Sequence, residues 1–161
     1  MVTFRNVPRL QRIVVHTMVK EAIGNEGALL AARMAVERIT GSKPVLVRAR
    51  KGVAPWGLRV GAPIATKVGL QGPQMYHFLS TLVEVVMPRI KDFDGISGAA
   101  GDGNGNMSFG FPPQAMAAFP QIEVNYDSYP HLPGLHVNIV TTATTDRGAK
   151  LLLSSLGLPF K

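Results

Sequence analysis

Side chains able to do chemistry are few in this chain, and their spacing excludes most reactions. The 161 residues contain four histidines, His16, His77, His131 and His136, and no cysteine. The histidines show no paired metal-ligand spacing, and without thiols neither a disulfide framework nor a thiolate zinc site can form. The string Gly101-Asp102-Gly103-Asn104-Gly105-Asn106 suggests a phosphate cradle. It lacks the strong preceding strand and the following helix N-terminus that a dinucleotide fingerprint needs, so it is read as a flexible or structural turn. Asp102, Asn104 and Asn106 match the first three oxygen ligands of a calcium loop. Met107 then stands where that loop needs glycine, and Pro113 where it needs a bidentate glutamate. No strained nucleophile turn accompanies any Ser/His/Asp combination. The chain is therefore expected to be no enzyme and to carry no cofactor and no metal.

Charge gives a stronger signal. Residues 38–83 hold seven cations (Arg38, Lys43, Arg48, Arg50, Lys51, Arg59 and Lys67) and no Asp or Glu. Residues 1–91 carry fourteen Lys/Arg against four acids, a balance of +10, while 92–161 carry three against six, a balance of −3. Such a field suits a polyanion on one surface and protein or solvent on another. A hairpin bearing Arg48, Arg50 and Lys51, with Arg59 and Lys67 on its return, can touch successive phosphates; such contacts give affinity and orientation rather than sequence reading. Trp56 can stack on a base or cap the base of the hairpin. Few other aromatics lie near these cations, which favours recognition of folded RNA by shape.

The elements that must position these residues follow from periodicity. Residues 9–19 alternate as a strand, with Ile13, Val15 and Thr17 opposite Val14, His16 and Met18. Segment 27–39 has a helical apolar stripe closed by Gly41. Strands are expected at about 44–50 and in an extended segment at about 58–70, joined by a loop containing Gly52, Pro55 and Gly57. Met75, Phe78, Leu79, Leu82, Val83 and Val86 mark an amphipathic helix over 74–87 that Pro88 helps to end. Residues 93–113, with six glycines and two prolines, read as a long flexible region with a short strand at 107–111. A strand over 134–143 and a helix over 147–156, capped by Thr145-Asp146, complete the chain. The expected class is α+β, an antiparallel sheet with helices packed on one face.

A chain of this length is expected to form a single domain, 1–161, and to bury about 70% of its unfolded surface. No apolar run approaches the ~20 residues of a membrane span, so a soluble protein is expected. The start, Met1-Val2-Thr3-Phe4-Arg5, has neither a signal-peptide core nor an arginine-rich amphipathic presequence.

Read in order, the motifs resemble the large-subunit ribosomal protein family five, which in bacteria binds 5S rRNA in the central protuberance. They begin with Val7-Pro8-Arg9-Leu10, Ile39-Thr40-Gly41-Ser42-Lys43-Pro44 and Arg48-Ala49-Arg50-Lys51. Gly61-Ala62-Pro63-Ile64, Met75-Tyr76-His77-Phe78-Leu79 and Pro88-Arg89-Ile90-Lys91-Asp92-Phe93 follow. The series ends with Asp102-Gly103-Asn104-Gly105-Asn106, Phe119-Pro120-Gln121-Ile122, Thr141-Thr142-Ala143 and Gly157-Leu158-Pro159-Phe160. The resemblance implies a non-enzymatic protein that docks rRNA on an exposed sheet face. It implies rRNA contact for Arg9, Arg12, His16, Ser42, Lys43, Arg48, Arg50, Lys67 and Gly69. It points the loop Lys51, Gly52, Val53, Ala54, Pro55 and Trp56 at peptidyl-site tRNA. It sets Arg89, Lys91, Asp92, Phe93 and Asp94 near a small-subunit head protein in an intersubunit bridge, with the glycine-rich loop mobile to tolerate subunit rotation.

The chain also departs from that family. His16, Ser42 and Gly69 stand where the family typically has Asn, Gln and Thr for 5S rRNA, which would leave polar RNA groups unmatched. Basic positions are lost at Gln71, Asp94 and Asn104, and the usual N-terminal helix is missing. Loss of the three sheet-face contacts at His16, Ser42 and Gly69 implies a ribosome without ordinary 5S rRNA, as in many mitochondria, so 5S rRNA is a doubtful partner while large-subunit rRNA, tRNA and neighbouring ribosomal proteins remain expected. A mitochondrial ribosome is the expected location, with a cytoplasmic bacterial ribosome as the alternative. Two other function classes stay open: a free basic RNA-binding regulator or chaperone, and an enzyme using the glycine loop.

Overall fold

The computed structural model describes residues 3–91, 93–129 and 132–161. Five strands form one antiparallel sheet in the order β2-β3-β1-β5-β4: β1 (Leu10–Met18), β2 (Val45–Arg48), β3 (Pro63–Leu70), β4 (Met107–Phe111) and β5 (Leu135–Thr141). The α+β expectation holds, and alternation explains it. Ile13, Val15 and Thr17 of β1, Val68 and Leu70 of β3, and Leu135, Val137 and Ile139 of β5 are buried on one face. There they meet Val36 and Ile39 of α1 (Glu26–Thr40) and Met75, Phe78 and Leu79 of α2 (Pro73–Thr81). Each such apolar side chain, removed from water, contributes about 1.5–3 kcal/mol. The helix ends also follow local chemistry. Asn25 caps α1 by accepting from the Gly27 N–H, and Gly41, at φ 74°, closes it with its N–H donated to the Glu37 carbonyl.

The amphipathic stripe predicted to end near Pro88 does so by way of a wider turn. After α2 the chain widens into a π-turn over Leu82–Val86 and continues as α3 (Met87–Arg89). Proline has no N–H for the carbonyl four residues back and its ring crowds that oxygen. The wider turn, in which Met87 donates to Leu82, absorbs the mismatch, and the helix ends at Arg89, one residue past Pro88.

Between β2 and β3 the chain is more than a simple hairpin. β2 stops at Arg48 and β3 starts only at Pro63, with a short 3₁₀ turn (Ala54–Trp56) and an antiparallel bridge between Val53 and Leu58 in between. Mutual backbone bonds between Val53 and Leu58, and Gly57 at φ 68°, hold this tip.

Segment 112–128 contains two short helices that periodicity does not reveal, α4 (Pro113–Ala117) and α5 (Pro120–Glu123), and a 3₁₀ turn (Tyr126–Ser128). Proline opens both helices. Phe119 between them is fully buried and stacks on Phe78, ring centroids 6.1 Å apart. α6 (Asp146–Ser155) is capped by the Thr145 hydroxyl, which accepts from the Gly148 N–H. Among the described residues, no helix is long and apolar enough to cross a membrane.

Candidate nucleic-acid interface

Among the described residues no helix covers the second face of the sheet, where Arg12, Lys67, Gly69, Ser108, Gly110 and His136 are exposed. Its centre is set by register: Lys67 of β3 lies opposite His16 of β1, which lies opposite His136 of β5, which lies opposite Gly110 of β4. The next row is Gly69, Val14, Asn138 and Ser108. Arg12 follows at the position opposite Val140. None of the five strands contains an Asp or Glu. The face is therefore cationic and hydrogen-bonding without internal compensation, which favours an anionic partner.

Arg12, His16, Lys67 and Gly69, all expected to meet rRNA, are brought onto this face by the pleat. Gly69 opens onto free space, with nothing within 4 Å of where a Cβ would stand. The imidazoles of His16 and His136 are stacked, centroids 4.9 Å apart and planes 12° from parallel. Burial beneath that stack, then repulsion from His136 and Lys67, holds the His16 imidazolium below the ordinary histidine range. In the sequence His136 stands out only as a metal-ligand candidate. Alternation along β5 puts it opposite Leu135 and Val137, but without strand pairing nothing in the sequence sets it beside His16.

The other expected rRNA residues lie at strand ends and in connections. Arg9 precedes β1, exposed, with its backbone bonded both ways to Thr142. Arg48 ends β2 and donates to the Gly61 carbonyl at 3.0 Å, which fixes its guanidinium beside the loop. Arg50 is exposed, as is Lys43 in the α1–β2 connection. Ser42 donates instead to Gln74 at 2.8 Å, so its hydroxyl is committed to the start of α2.

In the tip of the β2–β3 connection, Lys51, Gly52, Ala54, Pro55 and Trp56 are exposed and Val53 is half-buried. Trp56 is 68% exposed, which removes the capping role and leaves its ring free to stack. Of the residues expected near a bridge, Lys91 and Asp94 are exposed, and Asp92 lies outside the described residues. Arg89 is held by Glu123 at 2.8 Å, and Phe93 packs its ring against Phe111 at 5.8 Å.

The glycine loop differs most from expectation. Its backbone does not float: the Gly103 and Gly105 N–H groups donate to the Asp146 carboxylate at 3.0–3.1 Å. Asp102 accepts from the Asn104 and Asn106 N–H groups and from the Asn106 amide. Those bonds to the charged form hold the Asp102 carboxyl below its usual range. The donors that a nucleotide phosphate would need are thus already used by the protein's own carboxylate. Of the two readings of this string, a flexible or a structural turn, these bonds favour the structural one. Among the described residues, no group of three or more His, Cys, Asp or Glu could hold a metal ion; His131 lies outside them.

An open sheet face whose strands carry no acid, with exposed cations around it and helices behind it, defines a small α+β protein with a cationic surface. The chain belongs to the ribosomal protein L5 family: residues 5–59 match ribosomal protein L5, and residues 63–160 match the C-terminus of the same ribosomal family. It is 49% identical over 157 residues to the large ribosomal subunit protein uL5m of Schizosaccharomyces pombe, covering 97% of this chain and 54% of that protein. It is 42% identical over 161 residues to uL5m of Neurospora crassa, covering 99% of this chain and 46% of that protein. With uL5 of Dictyoglomus turgidum the identity is 46% over 155 residues, covering 96% of this chain and 84% of that one. The chain thus spans about half the length of the fungal relatives it matches.

Proposed function

We propose that this chain is a non-enzymatic structural constituent of the large ribosomal subunit, using its open sheet face and the exposed cations around it to hold large-subunit rRNA in the central protuberance. The observation that carries this reading is the absence of any carboxylate from the five strands beneath Arg12, His16 and Lys67. Membership in the L5 family supports it, as do the names of the fungal and bacterial relatives. The fungal uL5m relatives favour a mitochondrial ribosome; the similar identity to bacterial uL5 keeps the cytoplasmic bacterial ribosome as the alternative. A single-domain reading draws support from the pairing of β1, from the first matched segment, with β3 and β5 from the second.

Finer contacts extend the proposal. The exposed tip from Lys51 to Trp56 faces peptidyl-site tRNA, and the Lys91–Asp94 region meets a small-subunit head protein in an intersubunit bridge. Arg89 pairs with Glu123 at the surface and Phe93 packs on Phe111, which leaves Lys91 and Asp94 as exposed, unengaged candidates beside them. 5S rRNA is a weak partner, since Gly69 offers no side chain and Ser42 is bonded to Gln74.

Sedimentation with large subunits, together with the salt dependence of RNA binding, tests the proposal. Changing Arg48, Arg50 and Lys51 to Ala should weaken RNA affinity and lower the slope of log affinity against log salt by about 1 for every phosphate no longer neutralised. Unaltered affinity would remove those three cations from the interface, and a chain that remains outside ribosomes would favour the free regulator.

A further inference from the structure

We propose that His16, His136 and Lys67 form a phosphate-binding subsite at the centre of the open face, in which the stacked imidazole pair takes a proton from solvent as an RNA phosphate arrives. The inference rests on the reading that RNA docks on this face, and adds how its centre recognises the backbone.

Two imidazoles only 4.9 Å apart and nearly parallel cannot both become cations cheaply unless an anion is at hand. The flanking strands offer none; Glu21, in the turn that follows β1, lies beside Met18 and Gly134 in the next row. From β3, Lys67 faces His16 and is itself a cation; from β5, His136 faces it; along β1, the nearest charged residue on this face is Arg12. Beyond Lys67, β2 presents Val45, and beyond His136, β4 presents Gly110. No carboxylate stands on any of these strands. In the free protein His16 therefore holds back from protonation, its proton affinity lowered by burial and by the facing His136 and Lys67.

A phosphodiester laid across the pair supplies the missing charge. It also has room to approach. Gly69 leaves open space beyond Val14, and Gly110 leaves Nδ1 of His136 uncovered where a Cβ would stand only 3.2 Å from it. Imidazolium donates from both nitrogens, whereas neutral imidazole donates from one, so protonation raises both the charge and the donor count toward the phosphate. Binding and protonation are then linked: whatever raises the proton affinity of the pair in the complex must make the complex tighter at lower pH.

The test uses the full chain and a structured stem–loop RNA, with affinity read by fluorescence anisotropy at fixed ionic strength. Between about pH 7.5 and about pH 5.5 the unmodified protein should gain about tenfold in affinity, and the His16→Gln/His136→Gln protein no more than about twofold. Because both rings lie on the open face, the double variant should fold. NMR titration of the imidazoles in the unmodified protein gives a second reading, in which RNA must move the titration of the pair upward. Affinity that is flat with pH, an undiminished gain in the double variant, or imidazole titrations indifferent to RNA would overturn the subsite. If in those cases Arg12→Ala and Lys67→Ala still weaken binding, RNA docking on this face survives without it; if they do not, both readings fall.

Discussion

Gly105 shows how one atom can decide a local structure. Its φ is 92°, and a Cβ there would lie 2.1 Å from the Ala143 carbonyl oxygen. Gly105→Ala should cost about 2–4 kcal/mol in chemical denaturation, because backbone strain adds to a clash with main chain that cannot rotate away. Gly103→Ala is the control: φ is 88° but nothing lies within 4 Å, so a loss of about 1 kcal/mol is expected. Equal costs would mean that the Ala143 contact is unimportant. His16 predicts a pH effect in the RNA-free protein. Its folded-state proton affinity is depressed below that of the unfolded chain, so the unfolded state binds more protons as pH falls below the ordinary histidine range. The melting temperature should fall in that window, and His16→Gln should flatten the fall; an unchanged acid limb would assign it to other groups. Alternation makes His16 legible in the sequence as an outward residue. Its partner His136 is not, because a side chain 120 positions away is brought alongside only by strand pairing.

Among the elements, the glycine-rich turn and the start of α6 act together. The Asp146 carboxylate, in the first turn of α6, holds the Gly103 and Gly105 N–H groups. Asp146→Ala should speed hydrogen exchange at both amides and lower stability by about 1–3 kcal/mol. Unchanged exchange would mean that the turn is held by its own Asp102 bonds alone. The long amphipathic helix and the strands β1 and β5 are readable from periodicity, since each repeats its pattern long enough to distinguish 3.6 from 2. The short helices α4 and α5 are not, because a run of four or five residues is little more than one turn. The π-turn before Pro88 is hidden for another reason. Composition announces a proline, but packing of Leu82, Val86 and Met87 in the core decides whether the helix stops or deforms.

The whole molecule separates its duties by face. One side of the sheet is an apolar contact with helices, and the other presents Arg12 and Lys67 on strands that contain no carboxylate. The charge of residues 38–83 points to a polyanion but not to the shape of the surface proposed to meet it. Arg48, Arg50 and Lys51 sit at a strand end and in a connection, while the centre belongs to Arg12, His16, Lys67 and His136, spread along the chain and gathered only by the fold. Restoring Asn at position 16, Gln at 42 and Thr at 69 should improve affinity for a 5S rRNA transcript, and the free space at Gly69 allows the threonine without repacking. No improvement would show that those three positions do not set affinity for 5S rRNA. The most direct measurement is a density map of the large subunit that contains this chain. It should show an RNA backbone crossing β3, β1 and β5 with phosphates against Lys67 and the two imidazoles; a map in which that face meets protein or solvent, with RNA elsewhere, would contradict the account.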